Sequence, residues 1–310
     1  MAVCSPATSS EVTCILNASV GSVNADAGEL LKRIFAESGK QAHIVLAKNG
    51  SDIPALASRA VKEKSQPIIA GGGDGTLSAV ATVLVGTGIA LGVLPLGTLN
   101  HFAKDLHIPL DIEGAVNNIF TGNVASIDVG EVNGRIFLNN SNLGIYPRVV
   151  QKREHGEKQG YTKWIAFAQA VVSVMRHYSV VQVRLRADKE DEGTRKTPFV
   201  FVGNNKYELE GLECGTRTIL DGGLLCVYTA NVARRSDLLR LALKALFRRL
   251  NDNDIEALEA KEIWVQAKEK RLNVATDGEV NFMDTPLHYR TVPGALRVIV
   301  PAKNGSGRKA

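Results

Sequence analysis

The sequence predicts an α/β fold, in which a doubly wound parallel-sheet domain precedes a β-rich second domain. Two observations support this prediction. Short apolar runs alternate with stretches of helical periodicity up to about residue 123, the pattern of a parallel sheet covered by helices. From Val124 onward, strand patterns mostly follow one another. The chain therefore reads as two domains of different architecture.

In the first domain, buried strands are predicted from apolar runs and helices from apolar stripes. The predicted strands cover residues 12–16, 43–46, 67–70 and 89–94. Asp26, Asp52 and Asp111 are each expected at a helix start, where a short acidic side chain can accept backbone N–H groups. A fourth helix carries Leu77 and Leu84 on one face and follows the third strand directly.

The second domain is predicted from Asn133-Gly134, a strong hairpin signal between strands 127–132 and 135–138. Strands 178–187 and 197–203 are expected to flank a charged loop, 189–196. Further strands are predicted at 224–230, 261–267, 271–276 and 296–300, and helices at 162–177 and 236–250. The predicted domains are therefore 1–123 and 124–295, with a last strand near 296–301 that returns to the first domain. Residues 302–310 form an expected disordered tail.

Composition narrows the class of protein. The 310 residues are 45% hydrophobic and 22% charged, which is ordinary for a soluble globular chain. No window approaches the roughly 18–20 apolar residues of a membrane span, and the first twenty residues lack a secretory pattern. The four scattered cysteines predict reduced thiols in a cytoplasmic protein: Cys4, Cys14, Cys214 and Cys226. The net charge of +5 leaves nucleic acid, an anionic membrane and nucleotide phosphates as partners to be distinguished.

A glycine-rich stretch joins the third predicted strand to its helix. Gly71, Gly72, Gly73 and Gly75 surround Asp74 at this junction. Backbone N–H groups and the helix dipole favour an anion there, and glycine lets a phosphate approach the main chain. An ordinary tight turn is the alternative, but it needs only one or two glycines. A dinucleotide fingerprint needs glycine where Thr76 stands, and the P-loop and protein-kinase signatures are absent.

The segment Gly72–Thr76 resembles the nucleotide loop of the diacylglycerol kinase catalytic-domain superfamily, which includes bacterial lipid kinases, sphingosine and ceramide kinases and, more distantly, NAD kinases. The segment 95–106 resembles the Pro-x-Gly-Thr-x-Asn-x-Phe-Ala motif of the lipid kinases and argues against an NAD kinase. Three departures are visible: Ala18 replaces a family proline, Leu46-Ala47-Lys48 lacks a family threonine, and His101 stands where an acidic residue is common. The resemblance implies these nucleotide contacts: Asn17, Gly21, Gly71, Gly72, Gly73, Asp74, Gly75, Thr76, Leu77, Ser78, Thr98 and Asn100.

The second domain carries two acidic motifs of the same family. The segment 220–224 is similar to a family segment that helps to hold a structural magnesium, which makes Thr218, Asp221 and Gly223 candidate metal contacts. A plain Asp-Gly turn entering a strand is the alternative, and the family's Pro-x-Ala just upstream is missing. The resemblance also implies that Asp277 and Glu279 act on the acceptor hydroxyl, since a kinase must orient an alcohol and accept its proton.

The resemblance, which covers nearly the whole chain, implies a lipid kinase that uses ATP and Mg²⁺, with diacylglycerol as the expected acceptor and a sandwich-like second domain. Another acceptor (a sphingoid base, another lipid alcohol or NAD) and a non-catalytic nucleotide- or lipid-binding regulator stay open as alternatives. The expected location is the cytoplasm, with peripheral attachment to membranes. The basic helix 236–250 is either a solvated face or a lipid-binding face, and it lacks the interleaved aromatics of a nucleic-acid site. Homo-oligomerisation is left open.

Overall fold

The structure is a computed structural model of the chain. It describes residues 3–4, 11–18, 25–37, 39, 41–144, 181–210, 213–214, 216–230, 237, 240, 244 and 254–302. The predicted helix 162–177, most of the predicted helix 236–250, Gly21 and the tail from residue 303 lie outside these residues. Within the described part of the chain, no helix is both long enough and apolar enough to cross a bilayer.

The chain divides into two compact units. The first comprises residues 1–129 and 293–310, and the second comprises residues 130–292. The sequence analysis put the first boundary near residue 123 and the returning strand near 296–301; the two divisions in the structure fall after residue 129 and after residue 292. Two strands, β6 (Asn123–Val132) and β19 (Leu287–Val300), begin in one unit and end in the other.

The first unit is built on a parallel sheet in the order β19-β5-β4-β2-β3. Two helix pairs pack with it, α2 with α3 and α1 with α5, and Phe35 meets Phe120 edge-on between the latter two. The central strand β4 is completely buried, which explains its unbroken apolar sequence. In chain order, the elements of this unit besides β6 and β19 have these bounds: β1 (Val3–Cys4), β2 (Glu11–Asn17), α1 (Ala25–Glu37), β3 (Gln41–Ala47), a 3₁₀ turn (Gly50–Asp52), α2 (Ile53–Lys62), β4 (Ile68–Gly72), α3 (Asp74–Leu84), β5 (Ala90–Pro95), α4 (His101–Asp105) and α5 (Ile112–Thr121).

The second unit is antiparallel throughout and forms a sandwich. One layer is the six-stranded sheet β15-β14-β11-β8-β17-β18, and the other contains β10-β9-β16 and the first part of β19. An apolar core joins residues of both layers, among them Leu143, Leu185 and Tyr289. The remaining strands are β7 (Arg135–Phe137), β8 (Asn140–Gly144), β9 (Val181–Ala187), β10 (Glu190–Thr197), β11 (Phe199–Asn204), β12 (Leu209–Glu210), β13 (Glu213–Cys214), β14 (Leu225–Thr229), β15 (Glu256–Ala260), β16 (Glu262–Ala267), β17 (Arg271–Thr276) and β18 (Glu279–Asp284).

The predicted fold class is confirmed: an α/β unit with a parallel sheet precedes a β-sandwich unit. The predicted Asn133-Gly134 turn is also confirmed, since both residues have positive φ and join β6 to β7. The prediction of a loop at 189–196 was wrong. Residues 190–196 belong to β10 (Glu190–Thr197), which pairs with β9 and ends the layer as an edge strand. Charged side chains are common on such edges because they discourage pairing with another chain.

Candidate active site

The first glycine loop connects β4 to α3 by a sharp change of direction at Gly73. Gly73 is extended, and its carbonyl accepts the N–H groups of Thr76 and Leu77, which starts α3. The Thr76 side chain is buried, and its hydroxyl accepts a hydrogen bond of 3.0 Å from the Asn17 amide at the end of β2. A Cβ at Gly72 would lie 2.5 Å from that hydroxyl, so the position needs glycine. Thr76 thus ties the loop to the neighbouring strand.

Asp74 connects the first loop to the second. It is the first residue of α3, and its carboxylate accepts the N–H groups of His101 at 3.2 Å and Phe102 at 3.0 Å. Both donors lie at the start of α4, where backbone N–H groups lack helical partners. The carboxylate of Asp74 therefore links the two sequence motifs, the glycine loop 71–76 and the segment 95–106.

The second loop, between β5 and α4, is held by Asn100. This residue is buried in a left-handed conformation with φ of 51°. Its amide oxygen accepts the Gly97 N–H, and its amide nitrogen donates to the carbonyls of Gly97 and Pro95. A Cβ on Gly97 would lie 2.4 Å from Cα of Gly73, so the two loops touch through their glycines. Thr98, next in the chain, is exposed.

The predicted nucleotide contacts thus separate into two groups. Asn17, Thr76 and Asn100 use their side chains within the protein, and the side chain of Leu77 is buried in the core. The main chain from Gly72 to Gly75, the partly exposed Ser78 and the exposed Thr98 lie where the strands end and α3 begins. Converging N–H groups and a hydroxyl at a helix start suit a phosphate. Gly71 is buried within β4, and Gly21 is outside the described residues.

In the second unit, Asp277 begins the tight turn between β17 and β18. It has a φ of 47° and precedes Gly278, whose φ is 88°. Its carboxylate accepts three backbone N–H groups, from Leu138 at 2.7 Å, Asn139 at 2.8 Å and Asn140 at 3.2 Å. Three hydrogen bonds from successive backbone N–H groups fix the direction of the carboxylate. The side chain is therefore held firmly beside the segment 138–140.

Glu279, two residues further on, is exposed and forms an ion pair with Arg135 at 2.6 Å. Arg135 also donates from Nε to the Thr276 hydroxyl at 3.0 Å, so it spans both strands of the hairpin. Sequence reasoning did not single out Arg135, because nothing in the hairpin pattern of β7 shows that it reaches β17.

Most residues of the segment 218–223, which contains the predicted metal contacts, are exposed. Thr218 and Asp221 are exposed, and Gly223 has a φ of 69°. The N–H of Gly222 donates to the Asn205 side chain at 3.1 Å. In the described part of the chain, no three His, Cys, Asp or Glu side chains are grouped as a metal site. The candidate ligand atoms of this segment are the oxygens of one carboxylate, one hydroxyl and backbone carbonyls. Mg²⁺ prefers oxygen ligands of this kind.

Arg217 is the clearest residue that sequence reasoning missed. Its side chain is buried, and its guanidinium donates to the carbonyls of Leu138 and Asn204 and to the Asn139 side chain. The guanidinium also lies 5.3 Å from the centre of the Tyr207 ring. The sequence gives no signal for it: Thr216 and Thr218 stand where the family's Pro-x-Ala is missing, and the arginine falls at the unspecified middle position of that pattern.

Comparison with known proteins places this chain in a family. Residues 11–132 match the model of the diacylglycerol kinase catalytic domain, and residues 145–300 match the model of the YegS C-terminal NAD kinase beta sandwich-like domain. A protein named diacylglycerol kinase from Staphylococcus epidermidis is 27% identical over 82% of this chain and 80% of its own length. A Salmonella newport protein named "Probable lipid kinase YegS" is 27% identical over 86% of this chain and 89% of its own.

Two further relatives set the limits of these matches. An uncharacterized protein of Synechocystis is 28% identical over 76% of this chain, but the match covers only 55% of that protein. The crystal structure of a candidate diacylglycerol kinase from Bacillus anthracis superposes with a TM-score of 0.71 at 25% identity, covering 94% of this chain and 96% of the other. The fold and both family models define a lipid kinase class. The chain belongs to the diacylglycerol kinase family, in its YegS-like form with a β-sandwich second domain.

Proposed function

We propose that this chain transfers the γ-phosphoryl group of ATP to a lipid hydroxyl, with diacylglycerol as the acceptor and phosphatidic acid as the product. The observation that carries the proposal is the link between the two glycine loops, where Asp74 holds the start of α4 and Gly73 touches Gly97. Two glycine loops fixed against each other present main-chain N–H groups at one place. Phosphoryl transfer depends mainly on such positioning and on neutralising charge.

On the nucleotide side, the main chain from Gly72 to Thr76 and the hydroxyl of Thr98 bind phosphate oxygens in this proposal. Asp74 holds the two loops in a fixed relative position, because its carboxylate accepts hydrogen bonds from the N–H groups of His101 and Phe102. Thr218, Asp221 and Gly223 are proposed to hold Mg²⁺ through oxygen atoms. A bound Mg²⁺ supplies positive charge that offsets charge on oxygen atoms.

On the acceptor side, we assign proton acceptance from the lipid hydroxyl to Asp277 and a supporting role to Glu279. The three N–H groups from residues 138–140 fix the direction of the Asp277 carboxylate, which makes it a well-oriented acceptor. Orientation matters most in this reaction, since little bond formation to the acceptor is expected in a loose transition state. Glu279 pairs with Arg135 and keeps the end of the hairpin in place.

The test is an assay of γ-labelled ATP with four separate acceptors: diacylglycerol and sphingosine in mixed micelles, monoacylglycerol, and NAD. The product is identified by mass. Labelled phosphatidic acid as the main product is the expected result. Label on sphingosine or NAD would support the proposed phosphotransferase activity but show that diacylglycerol is not the acceptor. ATP binding without transfer to any of the four would instead favour a non-catalytic regulator.

The proposed acceptor lies in a bilayer, so the proposal includes attachment at the membrane surface. The basic stretch 234–249 supplies the candidate contacts, and Arg240 is an exposed helical residue within it. Lys244 is less suited, because it forms an ion pair of 2.7 Å with Asp254 and both side chains are partly buried. Cationic residues close to an anionic surface each contribute about 1 kcal/mol to binding.

A further inference from the structure

Arg217 occupies an unusual position for a charged side chain, because only 1% of its surface is exposed. Arginine is rarely buried to this extent without compensation. In Arg217, three hydrogen bonds to uncharged oxygens help to compensate for burial of the guanidinium. The acceptors are the Leu138 carbonyl at 2.7 Å, the Asn204 carbonyl at 3.0 Å and the Asn139 side-chain oxygen at 2.8 Å. All of these groups belong to the second unit.

Two of these three acceptors lie in the segment that holds Asp277. The segment 138–140 donates its N–H groups to the Asp277 carboxylate and receives Arg217 on its oxygens. Asn204 fastens the same segment, because its amide donates to the Leu138 carbonyl and its N–H donates to the Asn139 carbonyl. The segment is thus fixed on one side by Arg217 and Asn204, and on the other side it binds the carboxylate.

One peptide group connects the two charges directly. The carbonyl of Leu138 accepts from Arg217, and the N–H of Asn139, in the same planar unit, donates to Asp277 at 2.8 Å. A cation at the oxygen and an anion at the N–H both act along the dipole of this peptide group. Hydrogen bonds arranged in such a chain strengthen one another in a low-dielectric interior.

We propose that Arg217 is a positioning residue for the Asp277 carboxylate and acts through the Leu138–Asn139 peptide group. Its catalytic consequence rests on the proposed function, in which Asp277 accepts the proton of the lipid hydroxyl. Its structural consequence does not, because the order of the segment 138–140 can be measured without turnover.

The test uses Arg217→Lys and Arg217→Met in the full chain. A lysine keeps the charge but lacks the planar fork that reaches three separate oxygens, so both variants loosen the segment. The expected result is a kcat lower by about tenfold to a hundredfold, as for a misplaced catalytic group, with the KM for ATP within about twofold of the wild-type value.

Arg195 offers a matched control in the same unit. It is 25% exposed and contacts Thr229, Glu192 and Glu256, none of which bonds to the segment 138–140 in the contacts described. Arg195→Lys and Arg195→Met are therefore expected to change stability but leave kcat within about twofold. Should Arg217→Met fail to fold, Arg217→Lys decides the outcome.

A double-mutant cycle with Asp277→Asn separates positioning from general damage. If Arg217 acts through Asp277, Arg217→Lys lowers kcat by less than about twofold when Asp277 is already asparagine. If the reduction in kcat of the double variant instead equals the product of the two single-variant reductions, the proposal is wrong. Hydrogen exchange supplies the readout without activity: the peptide covering 138–140 should lose protection in the Arg217 variants and keep it in the Arg195 variants.

The results also distinguish the two proposals from each other. If the wild-type chain phosphorylates no acceptor, the proposed function fails. If Asp277→Asn leaves kcat unchanged, only the assignment of Asp277 as the base fails, and with it the catalytic consequence for Arg217. In both cases hydrogen exchange still decides whether Arg217 orders the segment 138–140. If Asp277→Asn abolishes turnover but Arg217→Lys changes neither kcat nor exchange at 138–140, only the inference about Arg217 is wrong.

Discussion

Asp74 links two helix starts, because it stands at the beginning of α3 and its carboxylate accepts two N–H groups at the beginning of α4. The sequence analysis identified Asp74 only as a residue of a glycine loop and an implied nucleotide contact. The structure adds a capping role, so that removing the side chain costs stability as well as activity.

We expect Asp74→Ala to lower kcat by about two orders of magnitude or more, since the second loop loses its anchor. The loss of stability should be about 1 kcal/mol, as for other helix caps. Asp111→Ala is the matched control: Asp111 caps α5 through the Gly114 N–H at 2.7 Å, away from both glycine loops. Urea unfolding and steady-state kinetics check both variants, and comparable kcat values for the two would remove Asp74 from the active site.

For Asp277, an asparagine of the same shape can neither accept a proton nor accept all three N–H groups with its NH₂ end. Asp277→Asn should therefore lower kcat by about two orders of magnitude while the KM for ATP stays within about twofold. Some stability is lost as well, roughly 1–3 kcal/mol for an unsatisfied donor. Asp284→Asn, in the exposed ion pair with Arg271 at the other end of β18, is the control. A wild-type kcat in the Asp277 variant would move the base elsewhere.

Cys14 lies in the buried strand β2, and burial raises the pKa of its thiol to about 12. The thiolate is the reactive form, so iodoacetamide at pH 8 should leave Cys14 unmodified in the folded protein and label it in urea. Because the folded pKa lies above the ordinary value of 9.0, the free energy of unfolding should fall as the pH rises above about 9. Intact-protein and peptide mass spectrometry check the labelling, and rapid labelling at residue 14 would contradict this burial.

At the scale of the elements, the active-site loops depend on two glycines that touch. A methyl group on Gly97 would lie 2.4 Å from Cα of Gly73, a backbone atom that cannot move aside as a side chain can. Gly97→Ala should therefore cost about 1–3 kcal/mol and weaken ATP binding. Gly50→Ala, where no atom lies within 4 Å, is the control for the substitution itself. Thermal midpoints and a nucleotide-binding titration give the comparison, and equal effects of the two substitutions would argue against a contact between the loops.

The elements that sequence reasoning identified are those with a local cause. The strand–glycine–helix junction at 68–84 was readable because the apolar run, the glycines and the helical stripe lie side by side in the chain. The strand β10 was missed because its charged residues resemble a loop until its pairing with β9 is known. The strand β8 was missed for a similar reason: its polar residues are buried against distant partners, as Ser141 is against Tyr289.

At the scale of the whole molecule, the change from alternating helices and strands to strands alone allowed both architectures to be predicted from sequence. The candidate site was predictable only where short motifs carry it, at the glycine loops and at Asp277. Arg217 and Arg135 could not be found in this way, because their contacts join residues that are far apart in the chain. The same limit explains why Asn17, Thr76 and Asn100, read as nucleotide contacts, prove to have internal hydrogen bonds.

The proposed attachment to membranes makes a prediction about the whole protein that separates two basic residues, Arg240 and Lys244. Arg240 is exposed, whereas Lys244 is held by Asp254 at 2.7 Å with only 26% of its side chain accessible. Arg240→Gln should weaken sedimentation with phosphatidylserine vesicles about fivefold at low salt, which corresponds to about 1 kcal/mol. Lys244→Gln should leave it unchanged, and the difference should disappear at high salt, where exposed charges are screened. Turnover of a short-chain, water-soluble diacylglycerol should survive the Arg240 substitution, since no bilayer is then involved. Equal vesicle binding by both variants and the wild-type chain would make this basic face a solvated surface and not a lipid contact.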